Sequence, residues 1–400
     1  MTLEELELLK QPDIYKYVKI YKDSDSKELA LKISKNSMLP VRAIAEQVLC
    51  NKKAQKKLPS FINKNLLFDR VALEQSSSET TAKYKSSLIS GNSIIDLTGG
   101  LGIDELSFIN SFNKVVYCDL NKVTSEIFRY NISQLNISKV EVNNTESIEY
   151  LSKQDNNSFD WIYIDPSRRD ANRRSVDLEY CAPNVYDNME LFFEKSKNVM
   201  IKVAPAYDLT EAVKRFPNLL EIQVVSVDGE CKEVLLLLNR DRPNVNPKVF
   251  SVDLNSKNDK RFILSGDFSK ESAREITELK SYFYEPDCSI IKSNLTPLLA
   301  EKFNLSFVNK LTPYLTGSEL INDFPGRSFT VLDSLIYNEK LIKKYLKENV
   351  IVKANVSKRD FRLSVDEIRT RFKIKDGGEY YLFFTRDLNS KSIMIVCKKS

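Results

Sequence analysis

Residues 93–104 read Ser93-Ile94-Ile95-Asp96-Leu97-Thr98-Gly99-Gly100-Leu101-Gly102-Ile103-Asp104. Ser93 to Leu97 is a short apolar strand, three glycines leave a turn with no side chain to block a ligand, and Asp104 to Ile109 can start a helix. A strand, glycine turn and helix set backbone N–H groups and a helix N-terminus beside the crevice at the carboxyl ends of a parallel sheet. An ordinary tight turn would use the same glycines, so the sequel decides between the two readings.

A second apolar run, Val115-Val116-Tyr117-Cys118, ends in Asp119, 23 positions beyond Asp96. An acid at the tip of the second strand of a doubly wound sheet can accept hydrogen bonds from ribose hydroxyls. The dinucleotide fingerprint G-x-G-x-x-G is not present. A third run, Lys139 to Val142, leads to Glu146, and a fourth, Phe159 to Ile164, ends in Asp165-Pro166-Ser167-Arg168-Arg169. Polar residues at four successive strand tips are more than a purely structural sheet requires.

These motifs resemble the class I S-adenosylmethionine-dependent methyltransferases. The resemblance implies that Asp96, Thr98, Gly99, Gly100 and Gly102 hold the methionine end of S-adenosyl-L-methionine, Asp119 its ribose and Glu146 its adenine, with Asp165 touching cofactor and substrate. It further implies a Rossmann-like α/β fold, a seven-stranded methyltransferase sheet with an antiparallel last strand. The pair Leu220 to Val227 and Lys232 to Asn239, joined tightly around Asp228-Gly229-Glu230, must be antiparallel and so favours this fold over a nicotinamide enzyme.

Gln75 to Lys85, Asp165 to Arg169, Lys202 to Pro205, Asp323 to Phe329 and Lys358 to Thr385 extend the likeness over nearly the whole chain. Together they resemble a bacterial family of class I methyltransferases with a ferredoxin-like insert and a C-terminal THUMP-like domain. The expected division is a helical region over 1–75, the methyltransferase domain over 76–243, a ferredoxin-like α+β domain over 248–330 and a THUMP-like domain over 331–400. THUMP domains present RNA to fused modifying enzymes, so the resemblance implies an RNA partner, rRNA or tRNA.

Composition narrows the chemistry. The 400 residues hold no histidine, which removes Ser-His and Cys-His nucleophilic pairs and the commonest metal ligand. Methyl transfer from a sulfonium suits this poverty, because the leaving group is already activated and the protein mainly positions the acceptor. Six scattered cysteines, Cys50, Cys118, Cys181, Cys231, Cys288 and Cys397, indicate neither a zinc site nor a disulfide framework. No metal is expected. No run approaches the roughly 20 apolar residues of a membrane span, and the acidic start lacks the pattern of a signal peptide, so a cytoplasmic protein is expected.

The net charge of +5 is unevenly spread: from Val331 to Ser400, 16 Lys and Arg against 9 Asp and Glu give +7, leaving −2 for the rest. A basic terminal module beside a near-neutral one fits a polyanion such as RNA; a solvated lysine-rich face would look the same. The lysines at 52, 53, 56 and 57 similarly suit either a helix C-terminus or a phosphate contact. Ser76 and Glu79 are spaced as a capping box before the first strand.

Amino-group methyltransferases carry Asp or Asn, Pro, Pro and an aromatic at the fourth tip. Here Asp165 and the Pro166 carbonyl remain as acceptors, while Ser167 and Arg168 replace the second proline and the aromatic. An arginine can stack on a base or hold a phosphate bidentately, and Arg169, Arg173 and Arg174 extend the basic cluster. By this resemblance Asp165 positions and deprotonates a base nitrogen, Arg168 and Arg169 hold base or phosphate, and Lys202 lines the pocket. Carbon methylation of uracil would need a cysteine nucleophile, for which Cys181 is the one loose candidate. A non-catalytic RNA-binding protein that keeps the sheet as a scaffold is the rival, and it predicts no cofactor binding.

Overall fold

The computed structural model describes residues 1–24, 39–168, 178–257, 260–268 and 274–400. Arg169, Arg173, Arg174 and the side chain of Arg168 lie outside the described residues. The chain divides into two compact units, Met1–Glu221 with Val234–Val245, and Ile222–Glu233 with Asn246–Ser400.

The apolar runs of the first unit are strands: β1 (Gly91–Asp96), β2 (Phe112–Cys118), β3 (Val140–Asn143), β4 (Phe159–Ile164), the short β5 (Ser167–Arg168) and β6 (Cys181–Ala182), then β7 (Ser196–Val203); β8 (Leu219–Val227) and β9 (Glu230–Asn239) each hold residues of both units. The strand order is β3-β2-β1-β4-β7-β9-β8. Strands β3 to β7 of this order pair in parallel, and β9 runs antiparallel to β7. Parallel strands need both faces covered, and the runs Ile94–Ile95, Val115–Val116 and Ile162–Ile164 are accordingly fully buried. The order reverses direction between β1 and β4, the switch point where such sheets bind ligands. The reversal that makes β9 antiparallel is the tight turn at Asp228 and Gly229, both with positive φ (52° and 81°).

The N-terminal helices Leu3–Leu9, Pro12–Ile20 and Val41–Lys57 pack a shared core with Leu66, Leu67 and Phe68. Gln47, fully buried, both donates to the Phe68 carbonyl (2.6 Å) and accepts from its amide (3.0 Å), pinning the returning chain to the helix. Lys57 donates to the carbonyls of Leu73 (2.7 Å) and Glu74 (3.0 Å), at the end of the helix Arg70–Gln75. The expected capping box at Ser76 is not formed. The helix Glu79–Leu88 is capped by Ser78, which accepts from the Thr81 amide, and Glu79 turns inward to accept from the Ser60 amide (2.9 Å).

In the second unit β10 (Lys248–Leu254) and β11 (Arg261–Asp267) follow the far half of β8 and extend the strand order to nine. The remaining strands, β12 (Tyr282–Pro286), β13 (Ser306–Phe307), β14 (Leu315–Gly317), β15 (Gly326–Ile336), β16 (Asn355–Lys358), β17 (Tyr380–Arg386) and β18 (Ser392–Lys399), form a second sheet in the order β13-β14-β12-β15-β18-β17-β16. Strand β15 crosses residue 330 and pairs with β12 on one side and β18 on the other. Strand β16 begins only at Asn355, because the chain first leaves the helix Glu339–Glu348 through Val350, at positive φ. Phe283, Phe329 and Phe383 meet in the core of this sheet, with ring centroids 4.6 to 6.3 Å apart.

Candidate active site

The glycine loop bends where it does because two of its glycines lie against rings. A Cβ on Gly102 would sit 2.0 Å from the Phe128 ring, and one on Gly99 would sit 2.2 Å from Tyr117. Those two rings stack on each other, centroids 4.7 Å apart, and the Tyr117 hydroxyl donates to the Gly100 carbonyl (2.8 Å). Gly100 itself has φ +56°, and an added Cβ there would meet nothing nearer than 3.8 Å. The loop is thus packed from below and open at Gly100.

Three strand tips converge on it. Asp119 follows β2 and accepts from the Gly100 amide (2.8 Å) and the Asn121 amide (2.7 Å). Burial raises its pKa against the pull of these two hydrogen bonds. Thr98 ties β1 to β4: its amide and hydroxyl both donate to Asp96 Oδ1 (2.7 and 2.9 Å), and its Oγ1 accepts from the Asp165 amide (2.7 Å). Asp165 in turn forms an ion pair with Lys202 of β7. Of the expected residues, Asp96, Thr98, Gly99, Gly100, Gly102, Asp119, Asp165 and Lys202 are therefore linked through the loop or its hydrogen bonds.

Glu146 is exposed and caps the helix Ser147–Ser152 by accepting from the Glu149 amide (2.7 Å). The third strand tip instead reaches the second through Asn144, whose amide donates to the carbonyls of Asp119 (2.9 Å) and Leu120 (3.0 Å). Pro166 leads into β5, which pairs with β6 so that Arg168 stands opposite the buried Cys181.

A buried charge network underlies the loop. Asp104 accepts from Ser77 (2.8 Å) and Tyr163 (2.9 Å) and pairs with Lys85 (3.1 Å), whose side chain is fully buried. Burial works to raise the pKa of Asp104, and the Lys85 and Lys202 ammonium groups with Ser77 outweigh it, so the carboxyl is held below its usual range. Its neighbour Glu105 is also fully buried, yet neither carboxyl oxygen has a hydrogen-bond donor. Burial, then the charge of Asp96, pushes Glu105 well above the carboxylate range. Asp96 is pushed up to about 7 by burial and by the charges of Asp104 and Asp165.

Glu105 and Leu120 escape sequence reading, and Lys85 enters it only as the end of the segment Gln75 to Lys85, with no partner named. Glu105 looks like a favourable first-turn acid, and Leu120 looks like a core residue although it is 74% exposed beside Asp119. The acids Asp104 and Glu105 side by side in a six-residue helix whose other residues are Ile103, Leu106, Ser107 and Phe108 were the available signal.

Comparison with known proteins bears on the whole chain. Residues 326–399 match the family described as THUMP domain-like. A solved structure described as a candidate methyltransferase from Porphyromonas gingivalis W83 superposes over all of both chains with a TM-score of 0.84 and 26% identity. The chain is a class I methyltransferase with a C-terminal THUMP-like domain. An uncharacterized S-adenosylmethionine-dependent methyltransferase of Mycobacterium tuberculosis is 21% identical over 348 residues, 86% of this chain and 92% of the relative. The ribosomal RNA small subunit methyltransferase D of Buchnera aphidicola is 27% identical over 135 residues, 33% of this chain and 70% of the relative. Among the described residues of this methyltransferase, no helix is long and apolar enough to cross a membrane, and no group of three or more Cys, Asp or Glu is placed to hold a metal ion.

Proposed function

We propose that this methyltransferase acts on a base nitrogen of RNA, rRNA or tRNA. The observation that carries the reading is the placement of Asp165, with its amide on Thr98 of the glycine loop and its carboxylate on Lys202, which ties the acceptor tip to the cofactor loop. The THUMP-like match at 326–399 and the +7 balance of the last 70 residues, 16 minus 9, support a polyanionic substrate.

The residues present suit S-adenosylmethionine: an open backbone at Gly100, the Asp119 carboxylate for a ribose, the exposed Leu120 beside it for an apolar ring face, and the buried acids of the loop for a cation. When bound, that cofactor supplies a methyl group on a sulfonium leaving group. The chain's own part is positional. Lys202 holds Asp165 through Oδ2, and we assign Oδ1, with the Pro166 carbonyl, to accept the N–H bonds of the base. The guanidinium groups of Arg168 and Arg169 would stack on that base or hold a flanking phosphate.

The test uses calorimetry and RNA from a strain lacking the protein. Asp165→Ala should lower methylation of that RNA by roughly 10²-fold or more while cofactor affinity hardly changes, as loss of a positioned acid–base group does. Asp165→Asn, which keeps one acceptor oxygen, should retain more activity. If both variants methylate at the wild-type rate, the acceptor site is elsewhere, and if the intact protein binds no cofactor, the scaffold reading replaces this one.

A further inference from the structure

Asp96 and Glu105 are both buried beneath the glycine loop, 2% and 0% exposed, neither carboxyl oxygen of Glu105 has a hydrogen-bond donor, and the charge of Asp96 bears on it. Two neighbouring carboxylates out of water cannot both ionise without a cation to share. Among the described residues, the nearby cations are engaged with other acids: Lys85, on the helix Glu79–Leu88, is paired with Asp104, and Lys202 of β7 is paired with Asp165. Around the pair, the carboxyl groups of Asp104 on its own helix and Asp165 after β4 add negative charge, and Tyr117 and Cys118 face it from β2. Thr98 donates twice to Asp96 Oδ1, which favours charge on Asp96 and leaves the proton to Glu105.

We propose that Glu105 is a positioning residue that keeps the Asp96–Glu105 pair protonated until a cationic ligand reaches the glycine loop, whose charge then takes the place of a proton on the pair. This rests on the cofactor reading above, since S-adenosylmethionine carries both an ammonium and a sulfonium charge. No covalent step is involved; the proton passes to solvent as the cation binds. Affinity for the cation should therefore rise with pH, by up to about tenfold per unit for one proton released.

The same protons act on the ligand-free fold with a defined sign. An acid whose folded pKa is raised binds more protons when native, so stability is lost as pH rises above the ordinary carboxylate range. Melting of the intact chain, followed from about pH 5 to about pH 8, should therefore decline less in Glu105→Gln than in wild type, because glutamine imitates the protonated acid and cannot ionise on unfolding. Parallel profiles would overturn the proposal.

The second arm is calorimetric titration with S-adenosylmethionine near pH 6.5, in buffers of different ionisation enthalpy, with release approaching one proton expected for wild type. Binding with no proton exchanged would overturn the cation half. Absence of any binding would instead overturn the cofactor reading and that half with it, while the melting profiles still decide whether Glu105 holds a proton.

Discussion

The glycine loop of the first unit and the THUMP-like sheet of the second both carry many charges, and they use them in opposite ways. Beneath the loop the charges are out of water, so each is either answered, as Asp104 is by Lys85, Ser77 and Tyr163, or left to hold a proton, as Glu105 is. Around the second sheet most pairs lie at the surface, Glu285 with Arg327 and Arg359 being a half-buried exception: Arg371 with Glu339, Lys398 with Glu379 and Arg386 with Asp360 are each 30% exposed or more on both sides. Exposed pairs of this kind contribute about 0–1 kcal/mol each. The loop should therefore fail on one substitution, whereas the sheet's electrostatics should erode only by accumulation.

The sharpest way to break that contrast is Lys85→Met. The side chain is fully buried and its removal leaves Asp104 with two neutral donors and no cation from that helix, a loss of about 3 to 5 kcal/mol for a broken buried pair. Denaturant unfolding should show it at neutral pH. Because the folded Asp104 sits below its usual pKa, this stabilisation is present above the unfolded value near 4 and is lost as pH falls through the folded one. The deficit of the variant should thus shrink in acid. An equal loss at all pH values would mean that Lys85 matters for its packing and not its charge.

The loop and its partners were legible because chain order in a parallel sheet puts each strand's C-terminal tip in a known place. Asp96, Asp119 and Asp165 could be assigned to one crevice from apolar runs and the residues that end them. Lys85 could not, since a lysine on the buried face of a helix has the same spacing as one on a solvated face, and only Asp104, 19 positions on, shows which it is. Glu146 illustrates the opposite ambiguity: a glutamate after a strand and before a helix suits adenine binding, and it equally suits a cap, which is what it does here. Strand β10 alternates apolar and polar residues over Ser251 to Leu254 and β11 holds a short apolar run, Phe262 to Leu264, and neither pattern says which sheet edge they cover.

Asp119 makes a finer probe of the loop. Its carboxylate already accepts from the Gly100 and Asn121 amides, so Asp119→Ala removes a hydrogen-bonding partner of the cofactor and a brace of the loop at once. Affinity for S-adenosylmethionine should fall by roughly 1.5 to 3 kcal/mol, the scale of hydrogen bonds to a charged group. Asp119→Asn, which keeps an acceptor for the Gly100 amide, should recover part of it. Calorimetry giving wild-type affinity for the alanine variant would remove Asp119 from the binding residues.

The smallest effect expected is on the second sheet, and it tests accumulation directly. The helix Glu339–Glu348 turns Ile342 and Leu346 into the core and leaves Lys340, Lys343, Lys344 and Lys347 on the outside. Lys344 is engaged with Glu348, at 3.8 Å. Lys343 and Lys347 are both exposed and separated by one helical turn, so they present two positive charges on one stripe toward solvent. If that stripe meets RNA phosphates, Lys343→Gln and Lys347→Gln should each lower the slope of log affinity against log salt by about 1 or less and weaken binding alike for unrelated RNA sequences. Cofactor affinity and melting should not move, because neither side chain is buried. A double variant whose salt slope equals that of wild type would take this helix out of the RNA-binding surface and leave the +7 balance of the region to other faces of the domain.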